Sequence, residues 1–258
     1  VTSVTGVSPT VITIYNSNGI SGLGNEAITL TGDTTVSNTN TVAALTSGVV
    51  TATITEGDMS TLAGLTETGN AYTVTITDSS VVSSAINTLD GKTTVAVNAA
   101  AVTTLTGLAA DANTAYASSG ISGLGDEAVT LSDTSLATTV LNTLDGNTTG
   151  AVNAATVTTL TGTAATANTA YASGGISGLG NEAVTLSDTS LATTVLNTLD
   201  GNTTGAVNAA TVTTLTGTAA TANTAYASSG ISGLGNEAVT LSDTSLASSV
   251  LNLSLIHI

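Results

Sequence analysis

Short alternating runs of apolar and polar residues recur along this chain, each followed by a stretch with helical spacing. In residues 121–175 the run Ala128–Ser132 points Val129 and Leu131 one way and Thr130 and Ser132 the other, as a strand does. Leu136, Val140, Leu141 and Leu144 then form one apolar stripe, which predicts a helix from about Asp133 to Asp145. Asp133 is placed to cap its N-terminus, and Gly146 to end it in a left-handed conformation. Ala151–Ala154 predicts a second short strand with Val152 and Ala154 inward. Val157, Leu160, Ala164, Ala167 and Tyr171 follow at spacings of 3, 4, 3 and 4, predicting a helix within Thr156–Ser173 that Gly162 can divide into two short pieces. Ser173 to Glu182, rich in glycine, reads as loop.

The pattern repeats. Residues 176–230 copy 121–175 with a period of 55, differing only at Asp126/Asn181 and Gly174/Ser229. A truncated copy occupies 231–252, and diverged copies occupy 71–120 and 20–70. Each unit reads strand–helix–strand–helix, with strand starts 23 residues apart (Val129 to Val152) and then 32 (Val152 to Val184). Strands joined by helices run parallel. The expected fold is therefore an α/β solenoid of short parallel strands alternating with short helices, two coils per repeat and about ten strands in all. A mostly-β solenoid is the alternative. Too few large apolar residues lie in one unit for it to stand alone, so its partners are the neighbouring repeats of the same chain.

The first copies are less regular. Residues 1–19 contain Pro9 and a β-rich run, Val11–Tyr15, read as a terminal strand or linker. Ala27–Thr31 predicts a strand, 33–48 a short helix stopped at Gly48, Val49–Thr55 a strand, Asp58–Leu65 a helix, and Tyr72–Thr77 a strand.

Composition narrows the partners. Net charge is −16 and the only Lys or Arg is Lys92, so no cations exist to neutralise nucleic-acid phosphates or to dock on anionic lipid. Cys is absent, which excludes disulfides and thiolate metal sites. No apolar run is long enough to span a membrane as a helix.

Candidate chemistry is sparse. His257 is the only histidine, which leaves no catalytic dyad or triad and no cofactor motif. Carboxylates recur in three sets: Glu26, Glu127, Glu182 and Glu237; Asp78, Asp133, Asp188 and Asp243; Asp90, Asp145 and Asp200. The second set reads as helix N-caps. The third lies at helix C-termini, where the dipole opposes it, so Asp145 with Asn147, and Asp200 with Asn202, are the candidate calcium ligands. Gly178-Leu-Gly180 precedes a strand and has no lysine after it, so it reads as a turn rather than a phosphate loop. Thr51/Thr53/Thr55 and Thr73/Thr75/Thr77 suggest a flat ice-binding array, but later strands do not keep the pattern. Asn98, Asn153 and Asn208 recur at outward strand positions, as an asparagine ladder would require, and Asn147-Thr-Thr and Asn202-Thr-Thr fit the glycosylation acceptor pattern.

The phrases Tyr72-Thr-Val-Thr-Ile-Thr-Asp78, Ala85-Ile-Asn-Thr-Leu-Asp-Gly91 and Val157-Thr-Thr-Leu-Thr-Gly162 resemble tandem β–α repeats of very large bacterial proteins. These are cyanobacterial and proteobacterial surface or type I-secreted, adhesin-like proteins. The resemblance implies an extracellular or cell-surface location and a structural role, often beside calcium-binding modules, although Gly-Gly-x-Gly-x-Asp nonapeptides are absent here. Repeat-based binding of calcium or a surface glycan is the alternative function. Residues 253–258, Leu-Ser-Leu-Ile-His-Ile, break the repeat register and resemble a translated sequencing adapter, so the expectation is an artefact at the end of a metagenomic fragment; a genuine divergent end is the alternative.

Overall fold

A computed structural model describes residues 1–248 and 250; the hexapeptide 253–258 and His257 lie outside the described residues. The chain forms two compact units, Val1–Val129 and Thr130–Ile258. Each is an α/β solenoid: short parallel strands alternate with short helices, coil after coil.

In the first unit, Ser3–Gly6, Ala27–Thr34, Val50–Ile54 and Ala71–Thr73 form one parallel sheet. Helices Ser8–Tyr15, Val36–Ala43 and Met59–Leu62 connect them in turn. Register places Val4 beside Ile28, Ile28 beside Val50, and Ala52 beside Tyr72. Further along, Ser80–Val82 pairs with Thr104–Gly107 and Val97–Asn98 with Ile121–Ser122, flanking helices Ser83–Asp90 and Ala109–Ala117.

The second unit shows how the 55-residue repeat is built. Strand segments start seven residues apart, at Ile176, Ala183 and Ser190 in one coil and at Val207 and Thr214 in the next. The three-segment coil ends in helix Thr193–Asn202 and the two-segment coil in helix Ala219–Ala227. Ladder partners are about 24 residues apart, as in Ser135 with Thr159 and Thr159 with Ala183. Two such steps fall seven residues short of the repeat. Each ladder therefore slips by one segment per repeat, from Ser135–Ala137 through Thr159–Gly162, Ala183–Leu186 and Val207–Asn208 to Ile231–Ser232. This resolves the unequal gaps of 23 and 32 in the sequence: Val152 pairs with Ile176, while Val184 pairs with Leu160.

The core is a stack of aliphatic side chains in register. Leu136, Leu160, Val184 and Val207 sit side by side along one ladder, and all four are buried. Each contributes roughly 2 kcal/mol by leaving water. The helices close the other side with two kinds of face. Thr193–Asn202 buries Leu196 and Leu199, whereas Ala219–Ala227 buries Ala219, Ala222 and Ala225. Alanine at every third position lets that helix lie close to the sheet, and it is also the residue that costs a helix least.

Several local expectations change. Val11–Tyr15 is helix rather than strand, because Pro9 sits in the first turn of Ser8–Tyr15, where its missing N–H costs nothing. Thr156–Ser173 is not one helix. Thr159–Gly162 is a strand, Gly162 turns the chain at φ 149, and only Ala164–Ala172 is helical. The helix expected from Asp133 starts at Thr138, after the extra strand Ser135–Ala137, and runs through Gly146 to Asn147. Gly146 thus stays right-handed inside the helix, and Asp133 lies too far upstream to cap it. The helix Val36–Ala43 is capped by Ala44, before Gly48. Gly48 is needed instead because a Cβ there would strike the Glu26 carbonyl. Nineteen strands occur among the described residues rather than ten, since segments of two to four residues are too short to show alternation.

Candidate functional site

The polar residues that recur with the repeat join one coil to the next. Three aspartates of the second set, Asp78, Asp188 and Asp243, cap helices, but of the preceding coil. Asp188 Oδ2 accepts the Ala164 amide at 2.8 Å, Asp243 the Ala219 amide at 2.7 Å, and Asp78 the Met59 amide at 2.6 Å. Glu56 does the same for Val36 at 3.1 Å. The amide bonded is the first of each helix, one of the donors that the helix itself leaves unsatisfied, and a negative charge there also complements the helix dipole. Thr163 and Thr218 cap the same helices locally, so these ends are held twice.

The glutamates form buried knots. Glu26, Glu127 and Glu182 are fully buried and Glu237 nearly so. Oε2 of each accepts a tyrosine hydroxyl eleven residues upstream: Tyr15 at 2.9 Å, Tyr116 at 3.0 Å, Tyr171 at 2.9 Å and Tyr226 at 2.9 Å. It also accepts from the amide of the second glycine in Gly-Leu-Gly; the Gly180 amide donates to Glu182 at 2.9 Å. Gly178 and Gly180 have φ of 86 and 139, so the segment is the tight turn expected, folded around the carboxylate. Thr203 closes the knot from the next coil, donating to the Glu182 carbonyl at 2.7 Å. Oε1 of Glu26 and of Glu182 is buried with no hydrogen-bond partner among the described residues.

The electrostatics follow from this geometry. The Gly24 amide holds the Glu26 carboxyl below its usual range, against the opposing pull of burial. Burial, reinforced by Glu26, pushes the Tyr15 hydroxyl up to about 12. Burial raises Tyr171 and Tyr226 as well, and the neighbouring glutamates add to it.

The third set of carboxylates clasps the loop of the following coil. Asp90, Asp145 and Asp200 each accept a serine hydroxyl at 2.7 Å, from Ser118, Ser173 and Ser228. Their Oδ1 atoms pack against Gly120, Gly175 and Gly230, where a Cβ would have to push the carboxylate aside. Of the candidate calcium ligands, Asp200 thus faces the following coil, while Asn202 donates to Asn168 Oδ1 in the preceding one at 2.9 Å. In the copy before, Asp145 is turned to Ser173 and Asn147 ends its helix. Among the described residues no group of three or more His, Cys, Asp or Glu side chains could hold a metal ion.

Asn98, Asn153 and Asn208 do not stack as a ladder. A ladder step carries each to a serine or threonine, such as Ser177 beside Asn153, and each side chain accepts the amide two residues on, bending the chain out of the strand. Thr51 and Thr53 are exposed on the first sheet, but Asp33 is the neighbour of Thr53 and interrupts the row. The tyrosine–glutamate knots are what sequence reasoning missed. Their signal was the constant spacing of eleven in all four copies.

Comparison with known families, curated proteins and solved structures finds no match. Among the described residues no helix is long and apolar enough to cross a membrane.

Proposed function

We propose that this segment is a structural spacer in a large extracellular or cell-surface bacterial protein, extending an adhesive or other module. One observation carries the reading: the recurring aspartates bond one coil to another, at the same positions in successive repeats. Asp188–Ala164 and Asp243–Ala219 are equivalent bonds one repeat apart, as are Ser173–Asp145 and Ser228–Asp200. Side chains engaged in this way add length copy by copy. The acidic surface suits a long solvated segment. The bacterial surface setting rests on the resemblance of the repeat phrases to those of giant secreted proteins.

The test is small-angle scattering on proteins carrying two, four and six copies of residues 176–230. A maximum dimension that grows in proportion to copy number supports the spacer; one that stays constant refutes it.

A further inference from the structure

The clasp between a helix end and the next loop is missing in the first copy. Three later copies have it: Asp90 accepts the Ser118 hydroxyl, Asp145 that of Ser173 and Asp200 that of Ser228. The matching positions in the first copy are Ala43 and Glu67. Ala43 lies three residues before Thr46, as Asp200 lies three before Thr203. Both threonines donate to a glutamate carbonyl at 2.7 Å, of Glu26 and Glu182 respectively. Glu67 lies three residues before Asn70, whose Oδ1 accepts the Val50 amide in the neighbouring coil. Ser228 likewise lies three before Ile231, the ladder partner of Val207.

Where the clasp would be, a pocket of about 150 Å³ is left, with a mostly polar wall that includes Ala43, Thr46, Ser47, Gly48, Glu67 and Asn70. It has room for about five waters, well under the roughly 300–1,000 Å³ of ordinary ligand clefts. Tyr72 lies two residues after Asn70, on the same face of the strand. Its hydroxyl is fully buried and makes no well-formed hydrogen bond among the described residues, although Asn70 and Glu67 are both near enough to act on it. Burial, with the Glu67 charge adding to it, pushes that hydroxyl up to about 12, so it stays protonated and able to donate.

We propose that this pocket binds a small neutral polyol the size of a single sugar ring. The three filled clasps show which groups meet at this place in the fold: a carboxylate and a hydroxyl. In the first copy the carboxylate stands on the loop, as Glu67, and Ala43 opposite it has no hydroxyl to donate. The ligand supplies that hydroxyl, and a second ligand oxygen accepts from Tyr72. Glu67 repels an anion. A simple ammonium could donate to Glu67 but could not accept from Tyr72, because it has no lone pair. Nothing in the spacer reading requires this site, and the two stand or fall separately.

The probes are glucose, galactose, mannose and xylose, titrated into the whole ¹⁵N-labelled chain while amide shifts are followed, with methylammonium as the cationic comparison. At least one sugar is expected to shift the amides of residues 46–49 and 67–70. E67Q is expected to weaken it about tenfold, through loss of the charge-assisted bond. Y72F should weaken it as well, yet leave the melting temperature of the free protein almost unchanged, since no formed bond is lost. A43D/E67S rebuilds the aspartate–serine pair that the other copies already carry, so it should fold and abolish binding. Four results overturn the proposal: no sugar binds, methylammonium binds in place of the sugars, E67Q leaves sugar binding unchanged, or binding survives in folded A43D/E67S.

Discussion

Asp188 caps the helix of the coil before its own, its carboxylate accepting the Ala164 amide 24 residues upstream at 2.8 Å. A helix N-terminus in this fold is completed by its neighbour, which ties the local stability of each coil to the presence of the next. D188A should therefore cost about 1–2 kcal/mol, the range of a lost N-cap. D188N should cost less, because the amide oxygen still accepts while the charge opposite the helix dipole is gone. Urea midpoints of the two variants check the order.

The glutamate knots predict losses of stability at both ends of the pH scale. The Glu26 carboxyl is held below its ordinary 4.5, so the stability it contributes is present above that value and is lost as pH falls through the lowered one. Tyr15 runs the opposite way. Its hydroxyl is raised from 10.0 to about 12, so its contribution is intact below pH 10 and is lost as pH rises towards 12. Phenolate absorbance followed against pH should show tyrosines ionising later than free tyrosine, with unfolding in the same alkaline window. Titration of all five tyrosines at the ordinary value would contradict the buried knots.

Two glycines with the same side chain should respond in opposite directions. A Cβ at Gly205 would collide with the Glu182 backbone carbonyl, so G205A should cost upward of about 2 kcal/mol. Gly146 is inside helix Thr138–Asn147, and a Cβ there meets nothing within 4 Å, so G146A should stabilise by about 0.5–1 kcal/mol. Thermal melts of the two variants, side by side, give the sign directly.

Calcium provides a further check. Asp145 and Asp200 are already engaged by Ser173 and Ser228, and Asn202 by Asn168. Melting temperatures in millimolar calcium and in chelator should then coincide. A rise of several degrees with calcium would return those residues to the role of ligands.

The class of fold was legible because it is written in period. Alternation at Ala128–Leu131 and the stripe ending at Leu144 mark a strand and a helix, and identity at 55 residues marks the stacking. The segments that escaped are those whose pattern is ambiguous at short length. Val157 and Leu160 keep helical spacing with Ala164, yet Leu160 is in a strand because Gly162 takes a left-handed turn between them. The capping role of Asp188 was readable from its chemistry, but the helix it serves was not. Which helix an aspartate reaches depends on the ladder register, and that is set by packing of Leu160 beside Val184, far apart in sequence. Tyr171 and Glu182 likewise meet only because the Gly-Leu-Gly turn folds the carboxylate back.

The central claim is that coils complete one another rather than fold alone. Urea denaturation of proteins with one, two and three copies of residues 176–230 tests it most directly. A single copy should lack cooperative unfolding, with the midpoint climbing as copies are added. A single copy that unfolds cooperatively, at the same midpoint as three, would contradict it.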